Sequence, residues 1–486
     1  MNEDKLRVLL VAAEAVPFSK VGGLAEFAGA LPKALHELGV DVRLMLPRYG
    51  DRDNTSPNVL RRVGGSIPVP AGSRQEPAHL LETTVDDIPV YLIYNDQFFG
   101  NRERVYGFND DPQRFVFFSR AVVAALSALD WSPCVVHAND WHTAAVPTWL
   151  SVYGARQRPF ADMASLFTIH NFAYQGISGR LILDFAQMTE VPHLEVEPPG
   201  KINWMAQGIA HADLISTVSS TYAQEILTPE IGGDLQPLLQ ERSHRLFGIL
   251  SGIDTKLWNP DTDSALTQTY DAETLNMRTV NKTALQRELR LPVDMDVPLI
   301  GVVTRLDPMK GLSLLAEAVE ELLRERDVQL VLLGSGDEDI ADRFHALQTR
   351  YPRSVRALIR FDERTARRLY GSVDLFAMPS RHEAVSVGLM TAMRYGAVPV
   401  VRQTGGLADT VTDADVRPDH GNGFSFPEYE TNALVRTLKR ALNAYDDEAR
   451  WVEIQRRAMA WDFSWHSSAQ AYVDLYNRAL MLHRGA

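Results

Sequence analysis

The sequence predicts an α/β protein of two similar units, each a mainly parallel sheet covered by helices on both faces, with a deep cleft between them. Three observations carry that prediction. Apolar runs of strand length alternate with amphipathic helical stretches from Leu6 onward, and the alternation starts afresh at Pro298. A chain of 486 residues is too long for a single hydrophobic core. Between the two series lies Ser251–Arg278, rich in Gly, Pro and Asp turns, which reads as a hinge. The expected boundaries are residues 1–250, residues 251–463 and a C-terminal helical segment, 464–486.

In the first unit Leu6–Ala13 is a strand, and Gly22–Gly23 punctuate its connection to a helix over about Ala25–Leu38. Phe27, Leu31, Ala34, Leu35 and Leu38 share one face of that helix, Gly39 stands just past its end, and Pro32 predicts a kink. Val42–Leu46 is the next strand. Asp51–Ala78 is turn-rich and then ambiguous, and Val90–Tyr94 resumes strand character. Pro112–Leu129 is helical, Cys134–Ala138 a strand, His142–Tyr153 a helix and Leu166–Ile169 a strand. Leu214–Val218 and Leu246–Leu250 complete this half.

The second unit repeats the scheme. Asn281–Leu289 is a helix, Pro298–Thr304 a strongly apolar strand, and Leu312–Arg326 an amphipathic helix of good helix formers. Gln329–Leu333 is a strand that runs into Gly334-Ser335-Gly336, and Val355–Arg360 precedes the helical Glu363–Tyr370. Asp374–Met378 is a strand closed by Pro379 and Ser380. Gly388–Tyr395 is helical, Ala397–Val401 suits a buried parallel strand, and Thr404-Gly405-Gly406 opens another helix. Ser464–Leu482 is the last helical stretch.

Composition narrows the function. Charged residues at 23% and hydrophobic ones at 45% are those of an ordinary globular protein, and no apolar run approaches the roughly 20 residues that span a bilayer. In MNEDKLRVLLVAAEAVPF acids precede the apolar run, whereas a secretory leader opens basic, so the run is read as a first strand. Cys134 is the only cysteine, which leaves no disulfide framework and suits a reducing cytoplasm. The net charge of −13 argues against a nonspecific nucleic-acid binder.

Several polar clusters fall at the carboxyl ends of strands, where open α/β sheets bind ligands. Lys20-Val21-Gly22-Gly23 follows the first strand and combines a cation with close backbone approach. Arg305 ends Pro298–Thr304 and Lys310 stands five residues on, so that two cations at one junction can clamp a diphosphate. Asp140-Trp141-His142 and His170-Asn171 close two strands of the first sheet. Glu383 sits in the junction after Asp374–Met378, where a carboxylate accepts hydrogen bonds from sugar hydroxyls. The Thr404–Gly406 turn is expected to leave backbone N–H groups uncovered for a phosphate. His137, His142 and His170 have no partners at metal-ligand spacing, so no metal and no cofactor are expected. Leu332–Asp337 (LLGSGD) lacks the ending of a P-loop and no GxGxxG follows a strand, which counts against nucleotide hydrolysis and hydride transfer.

KVGGLAEFAGALPKAL, VVHANDWHT, TIHNFAYQG, TRLDPMKG and RYGAVPVVRQTGGLADTV resemble the bacterial glycogen synthases and the starch synthases, in family order and over nearly the whole chain. The resemblance implies the GT-B fold, two Rossmann-like domains, with the acceptor side in the first half and the nucleotide-sugar side in the second. It implies transfer of glucose from ADP-glucose or UDP-glucose to the non-reducing end of an α-1,4-glucan with retention and without a metal. The last helix is implied to cross back to the first domain. Lys20, Gly22 and Gly23 match the family's Lys-x-Gly-Gly loop facing the donor phosphate, and Arg305 and Lys310 its diphosphate pair. His170 and Asp140 match groups near the reacting sugar carbon, and Asn171 follows that histidine in the same loop. Glu383 matches the carboxylate that holds the glucosyl hydroxyls, with Ser386, Val387 and Gly388 beside it. Phe361 stands where the family often has a Tyr against the base, and Thr404, Gly405 and Gly406 fall in the matching segment RYGAVPVVRQTGGLADTV. Front-face attack, with the departing phosphate taking the acceptor proton, is the implied mechanism.

The chain departs from the family's pattern at Ala384-Val385-Ser386-Val387, where Pro-Cys-Gly-Leu is usual, and a Ser in place of Gly at 386 strains the loop if φ is positive there. Glu26 replaces an Asp, Gln236 an acid and Ala206 a lysine. Two function classes stay open at this level: an active α-glucan synthase, and a catalytically weak paralogue that binds glucan or nucleotide sugar. A transferase with a small acceptor is a third. Release of nucleoside diphosphate from ADP-glucose and UDP-glucose, with and without glycogen, separates the first two, and product analysis separates the third.

Overall fold

The computed structural model describes residues 5–50, 59–191, 200–485 and the backbone of 195–196, so the first eight positions of the ambiguous Asp51–Ala78 stretch lie outside the described residues. The chain divides into two compact units, Met1–Ser251 together with Trp465–Ala486, and Gly252–Ser464.

The first unit is built on a nine-stranded sheet. In spatial order it runs Leu246–Gly248, Leu214–Thr217, Ala164–Ile169, Val135–Asn139, Arg7–Val11, Asp41–Pro47, Ile88–Tyr94, Arg74–Val85 and Arg61–Ala71. The seven strands from Leu246–Gly248 to Ile88–Tyr94 pair in parallel, and the last two pairings are antiparallel. The central strands carry almost unbroken apolar runs because helices cover both faces: Val8 to Val11 and Val135 to Asn139 are all buried. The Arg61–Ala71/Arg74–Val85 hairpin was not readable from the sequence, since Pro68, Pro70 and Pro77 argue against strands. Arg61–Ala71 lies at the sheet edge, where a missing N–H costs nothing, and Pro77 lies beyond the pairing that begins at His79 and Tyr94.

The first helix spans Gly23–Glu37 and runs through Pro32 without interruption, burying Leu24, Phe27, Ala28, Leu31 and Leu35. Its Phe27 ring packs edge-on to Trp465 and Tyr472 of the final helix, Trp465–His483. Tyr476 of that helix places its hydroxyl 2.8 Å from His137 Nδ1, deep in the sheet's core, and His483 lies 3.2 Å from Asp213. The C-terminal helix is thus part of the first unit's core.

The second unit carries a six-stranded sheet, all parallel, in the order Val355–Ile359, Gln329–Gly334, Leu299–Val303, Leu375–Met378, Val398–Arg402 and Phe424–Phe426. Leu315, Ala318, Val319 and Leu322 of the helix Leu312–Glu325 form the apolar stripe that the spacing predicts. Helices at Glu338–Arg350, Thr431–Tyr445 and Glu448–Ala460 complete the layers, the first and last capped by Asp337 and Asp447 side chains.

The segment expected as a hinge is largely built into this unit. Tyr270 is buried and donates to Tyr395 O at 2.7 Å, and Asp263 receives the Tyr395 hydroxyl and an ion pair from Arg367 at 3.2 Å. Turn composition signalled irregular backbone there, and a buried polar network holds it in place.

No helix among the described residues is long and apolar enough to cross a membrane. Replacing Tyr476 tests the docking of the last helix. Tyr476→Phe removes one buried hydrogen bond and is expected to cost about 1 kcal/mol. Tyr476→Ala leaves a cavity and is expected to cost about 3–5 kcal/mol. Denaturant unfolding of the first-unit transition measures both, and equal small losses would contradict the packing role.

Candidate active site

Each sheet has one place where successive connections depart in opposite directions. In the first it lies between Arg7–Val11 and Val135–Asn139; in the second, between Leu299–Val303 and Leu375–Met378. Loops leaving such a pair diverge and open a crevice at the carboxyl ends of the strands.

In the first unit that crevice is lined by the loop 12–22, the junction at Asn139–Asp140 and the His170–Asn171 turn. Asn139 Nδ2 donates to Val11 O at 3.0 Å and His137 O at 3.2 Å, which uses both amide protons. Its Oδ1 therefore accepts, and the partner 2.9 Å away is His170 Nε2–H. The pairing assigns the His170 tautomer and leaves Nδ1 as the acceptor. Phe27 packs edge-on to the imidazole at 4.4 Å, and loss of solvation pushes the His170 pKa down to about 3, so the ring is neutral.

Asp140 adopts φ +56°, a left-handed backbone that few non-glycine residues take, and such strain gathers at functional positions. Its buried carboxylate accepts the backbone N–H of His170 at 2.8 Å and of Asn171 at 3.3 Å. Burial raises its pKa to about 7 despite those two bonds. The Asn171 side chain turns back to accept Ala173 N–H at 3.0 Å. Lys20 extends into solvent, paired with Glu26 at 2.8 Å, and the longer Glu26 side chain reaches it. Gly22 and Gly23 are exposed beside it.

In the second unit Lys310 ends the single turn Pro308–Lys310, capped by Asp307, and Gly311 follows with φ +67°. A Cβ at Gly311 would lie 2.0 Å from Pro379 O, so only glycine lets this turn press against the neighbouring junction. That contact brings Lys310 Nζ to 2.8 Å and 2.6 Å from the two oxygens of Glu383, and the Ser380 hydroxyl donates to the same carboxylate at 2.9 Å. Arg305, on the same junction as Lys310, is exposed and has no ion-pair partner among the described residues.

One expectation is corrected here. The Thr404–Gly406 turn does not leave its N–H groups uncovered: the turn is buried, and Gly406 N–H donates to Glu383 O at 3.0 Å and Ala384 O at 3.1 Å. A Cβ at Gly405 (φ +43°) would lie 2.0 Å from Glu383 O, so these glycines serve close packing behind Glu383. The condition for strain at Ser386 is not met. Its φ is −128°, and its hydroxyl caps the helix Val387–Arg394 by accepting Leu389 N–H at 3.2 Å. Val387 and Gly388 form the first turn of that helix, where N–H groups have no acceptor within the helix. Phe361, 73% exposed, stands just past the strand Val355–Ile359.

His137 and His142 lie in the first unit's core and their burial keeps both neutral. Among the described residues no three His, Cys, Asp or Glu side chains are grouped to hold a metal. Glu14, Asn139 and Ser380 were not singled out from the sequence. Glu14, an acid in the apolar run AAEAV, carried the one signal available.

The two Rossmann-like units, each with a polar junction at its sheet reversal, have the architecture of the GT-B class of glycosyltransferases, and the comparisons with known proteins place the chain there. Residues 7–241 match the family described as "Starch synthase catalytic domain", and residues 288–458 match "Glycosyl transferases group 1". A glycogen synthase of Syntrophotalea carbinolica is 42% identical over 98% of this chain and 100% of its own length, and one of Moorella thermoacetica is 43% identical over 100% and 99%. The solved catalytic domain of starch synthase IV from Arabidopsis thaliana, bound to ADP and acarbose, superposes with a TM-score of 0.88 at 34% identity, covering 98% of this chain and 99% of that one. The chain belongs to the glycogen synthase and starch synthase family.

The Asp140 carboxyl supplies a pH test. Its folded pKa, about 7, lies above the ordinary aspartate value, so the folded chain keeps the proton longer and ionisation costs stability as pH rises through that window. Asp140→Asn escapes the cost. Its stability relative to the parent is expected to rise from pH 4 to pH 8, with an upper bound of about 4 kcal/mol. Denaturant titrations at both pH values measure this, and a difference independent of pH would refute it.

Proposed function

We propose that this chain transfers a glucosyl group from a nucleotide-glucose, ADP-glucose before UDP-glucose, to the 4-hydroxyl at the non-reducing end of an α-1,4-glucan with retention of configuration. The observation that carries the reading is the Lys310–Glu383 pair at the second sheet's reversal, with Arg305 exposed on the same junction. In the free protein the ammonium and the carboxylate neutralise each other. A donor diphosphate recruits Lys310 together with Arg305, and Glu383 is then free to accept hydrogen bonds from the glucosyl hydroxyls. Charge that grows on the departing diphosphate as the glycosidic bond breaks meets two fixed cations, often the largest single catalytic contribution.

The first unit contributes Lys20 to the donor phosphate and His170 and Asp140 to the reacting sugar. A histidine with a pKa near 3 is a poor base at neutral pH, so His170 acts through its neutral Nδ1 as a hydrogen-bond acceptor. The acceptor's proton goes instead to the departing phosphate, as front-face attack requires. Phe361 offers its ring face to the base. The ADP bound in the Arabidopsis structure supports the donor choice, and the acarbose bound in it supports a glucan acceptor. We place the protein in the cytoplasm, where a lone Cys134 of intermediate exposure stays reduced.

The test is a matrix of donors and acceptors that records nucleoside diphosphate release and glucan elongation. Glycogen-dependent release from ADP-glucose is expected; nucleotide binding without turnover would favour the weak paralogue. Lys310→Ala is expected to lower turnover about a hundredfold, roughly 3 kcal/mol of transition-state stabilisation. Near-parental turnover in a folded Lys310→Ala variant would sink the assignment. Because two side-chain cations carry the diphosphate charge, activity is expected to survive exhaustive EDTA treatment. A loss restored by one divalent ion would overturn that.

A further inference from the structure

Lys20 is 57% exposed, and its ion pair with Glu26 is at the surface, where such pairs hold a side chain weakly. What aims this lysine has to be the backbone beneath it. Gly22, the residue before the first helix, lends that helix no side-chain cap, and neighbouring Val21 and Gly23 are exposed. Below the loop lies Glu14, 3% exposed, on the connection that leaves the strand Arg7–Val11. Its Oε2 accepts Val21 N–H at 2.5 Å and Gly22 N–H at 3.4 Å, and the Tyr106 hydroxyl is a third hydrogen-bond partner. Tyr106 is itself held against the His142 ring at 4.8 Å. Burying a carboxylate is costly unless donors satisfy it, and here two of the donors are the amides immediately after Lys20.

We propose that Glu14 is a positioning residue for the transfer reaction: its buried carboxylate straps the Lys20–Gly23 loop from below, so that Lys20 is presented to the donor phosphate in one fixed direction. Glu14 touches neither donor nor acceptor; it acts through Lys20. The proposal rests on the reading of Lys20 as a donor-phosphate contact. It adds to that reading the residue that orders the loop, and it gives the acid in AAEAV a role that neither hydrophobic packing nor sugar binding supplies.

The test is a double-mutant cycle on glucan-dependent ADP release from ADP-glucose, with thermal unfolding as the check on folding. Glu14→Asp keeps a buried carboxylate but falls one methylene short of the amides. It is expected to lower kcat on the order of tenfold to a hundredfold, with the donor KM changed less than about threefold, as for a catalytic group displaced by about an ångström. Combined with Lys20→Ala it should add nothing to the loss from Lys20→Ala alone; in Glu14→Asp with Lys20 in place, trypsin should cut after that lysine faster than in the parent. Glu14→Gln keeps an oxygen for both amides and is expected to restore turnover to within about threefold. If Lys20→Ala slows the enzyme while Glu14→Asp leaves it untouched, or if the two losses multiply, the strap is refuted and the reading of Lys20 stands. If Lys20→Ala itself turns over like the parent, that reading fails and the strap fails with it. Should Glu14→Asp not fold, a folded Glu14→Gln as slow as Lys20→Ala refutes the proposal, and one close to the parent supports it.

Discussion

A parallel sheet can reverse its winding only where two neighbouring strands send their connections opposite ways, and everything functional in this chain depends on that constraint. In the first sheet the reversal separates the loop after Val11 from the junction after Asn139; in the second it separates the turn at Lys310 from the junction that carries Glu383. The strands themselves are apolar and could belong to any doubly wound protein. Polar residues accumulate at these two places because only there do loops diverge enough to expose backbone and side chains to a ligand.

The two junctions solve the burial of polar groups differently. At the second, opposite charges meet: Lys310 and Glu383 neutralise one another, and the Ser380 hydroxyl takes up a further lone pair. At the first, charge is suppressed. Burial keeps His170 neutral, and it lifts the Asp140 carboxyl towards 7 while two backbone N–H groups hold it. On the proposed reading, the second junction receives a highly charged diphosphate and profits from a cation released by ligand exchange. On the same reading the first junction lies beside the reacting sugar, where a His170 held neutral by burial orients without gaining charge.

The alternation of strand and helix, and hence the fold class, was legible because each element buries an apolar face with its own period. The strand-end positions of Lys20, Asp140, His170, Arg305, Lys310 and Glu383 followed from that alternation. Asn139 was not legible, because its part lies in how its amide is oriented, which is set by the carbonyls of Val11 and His137. The Thr404–Gly406 turn was misread for a related reason. Two glycines after a strand either open the backbone to a ligand or admit another backbone, and only the carbonyl of Glu383 against Gly405 decides between them. The hairpin 61–85 hid behind Pro68 and Pro70, which an edge strand tolerates, and Pro77, which lies beyond the pairing with Ile88–Tyr94.

The departures from the family's pattern acquire a common sense in the structure. Ser386 sits at a negative φ and caps a helix, so losing a glycine there costs no strain. Gln236 uses its amide to bond Leu227 O at 3.2 Å, a local tie that needs no charge. Ala206 is buried within the helix Trp204–His211, where a small side chain meets no penalty of a buried ammonium. Glu26 gains one methylene over aspartate and spans to Lys20. Each exchange falls where backbone hydrogen bonds or surface pairing carry the local structure. By contrast, the residues proposed to deliver charge, Lys20, Arg305, Lys310 and Glu383, match the family's pattern. Substitution has been tolerated where the backbone does the work, which is what a site held by glycine-mediated loop contacts permits.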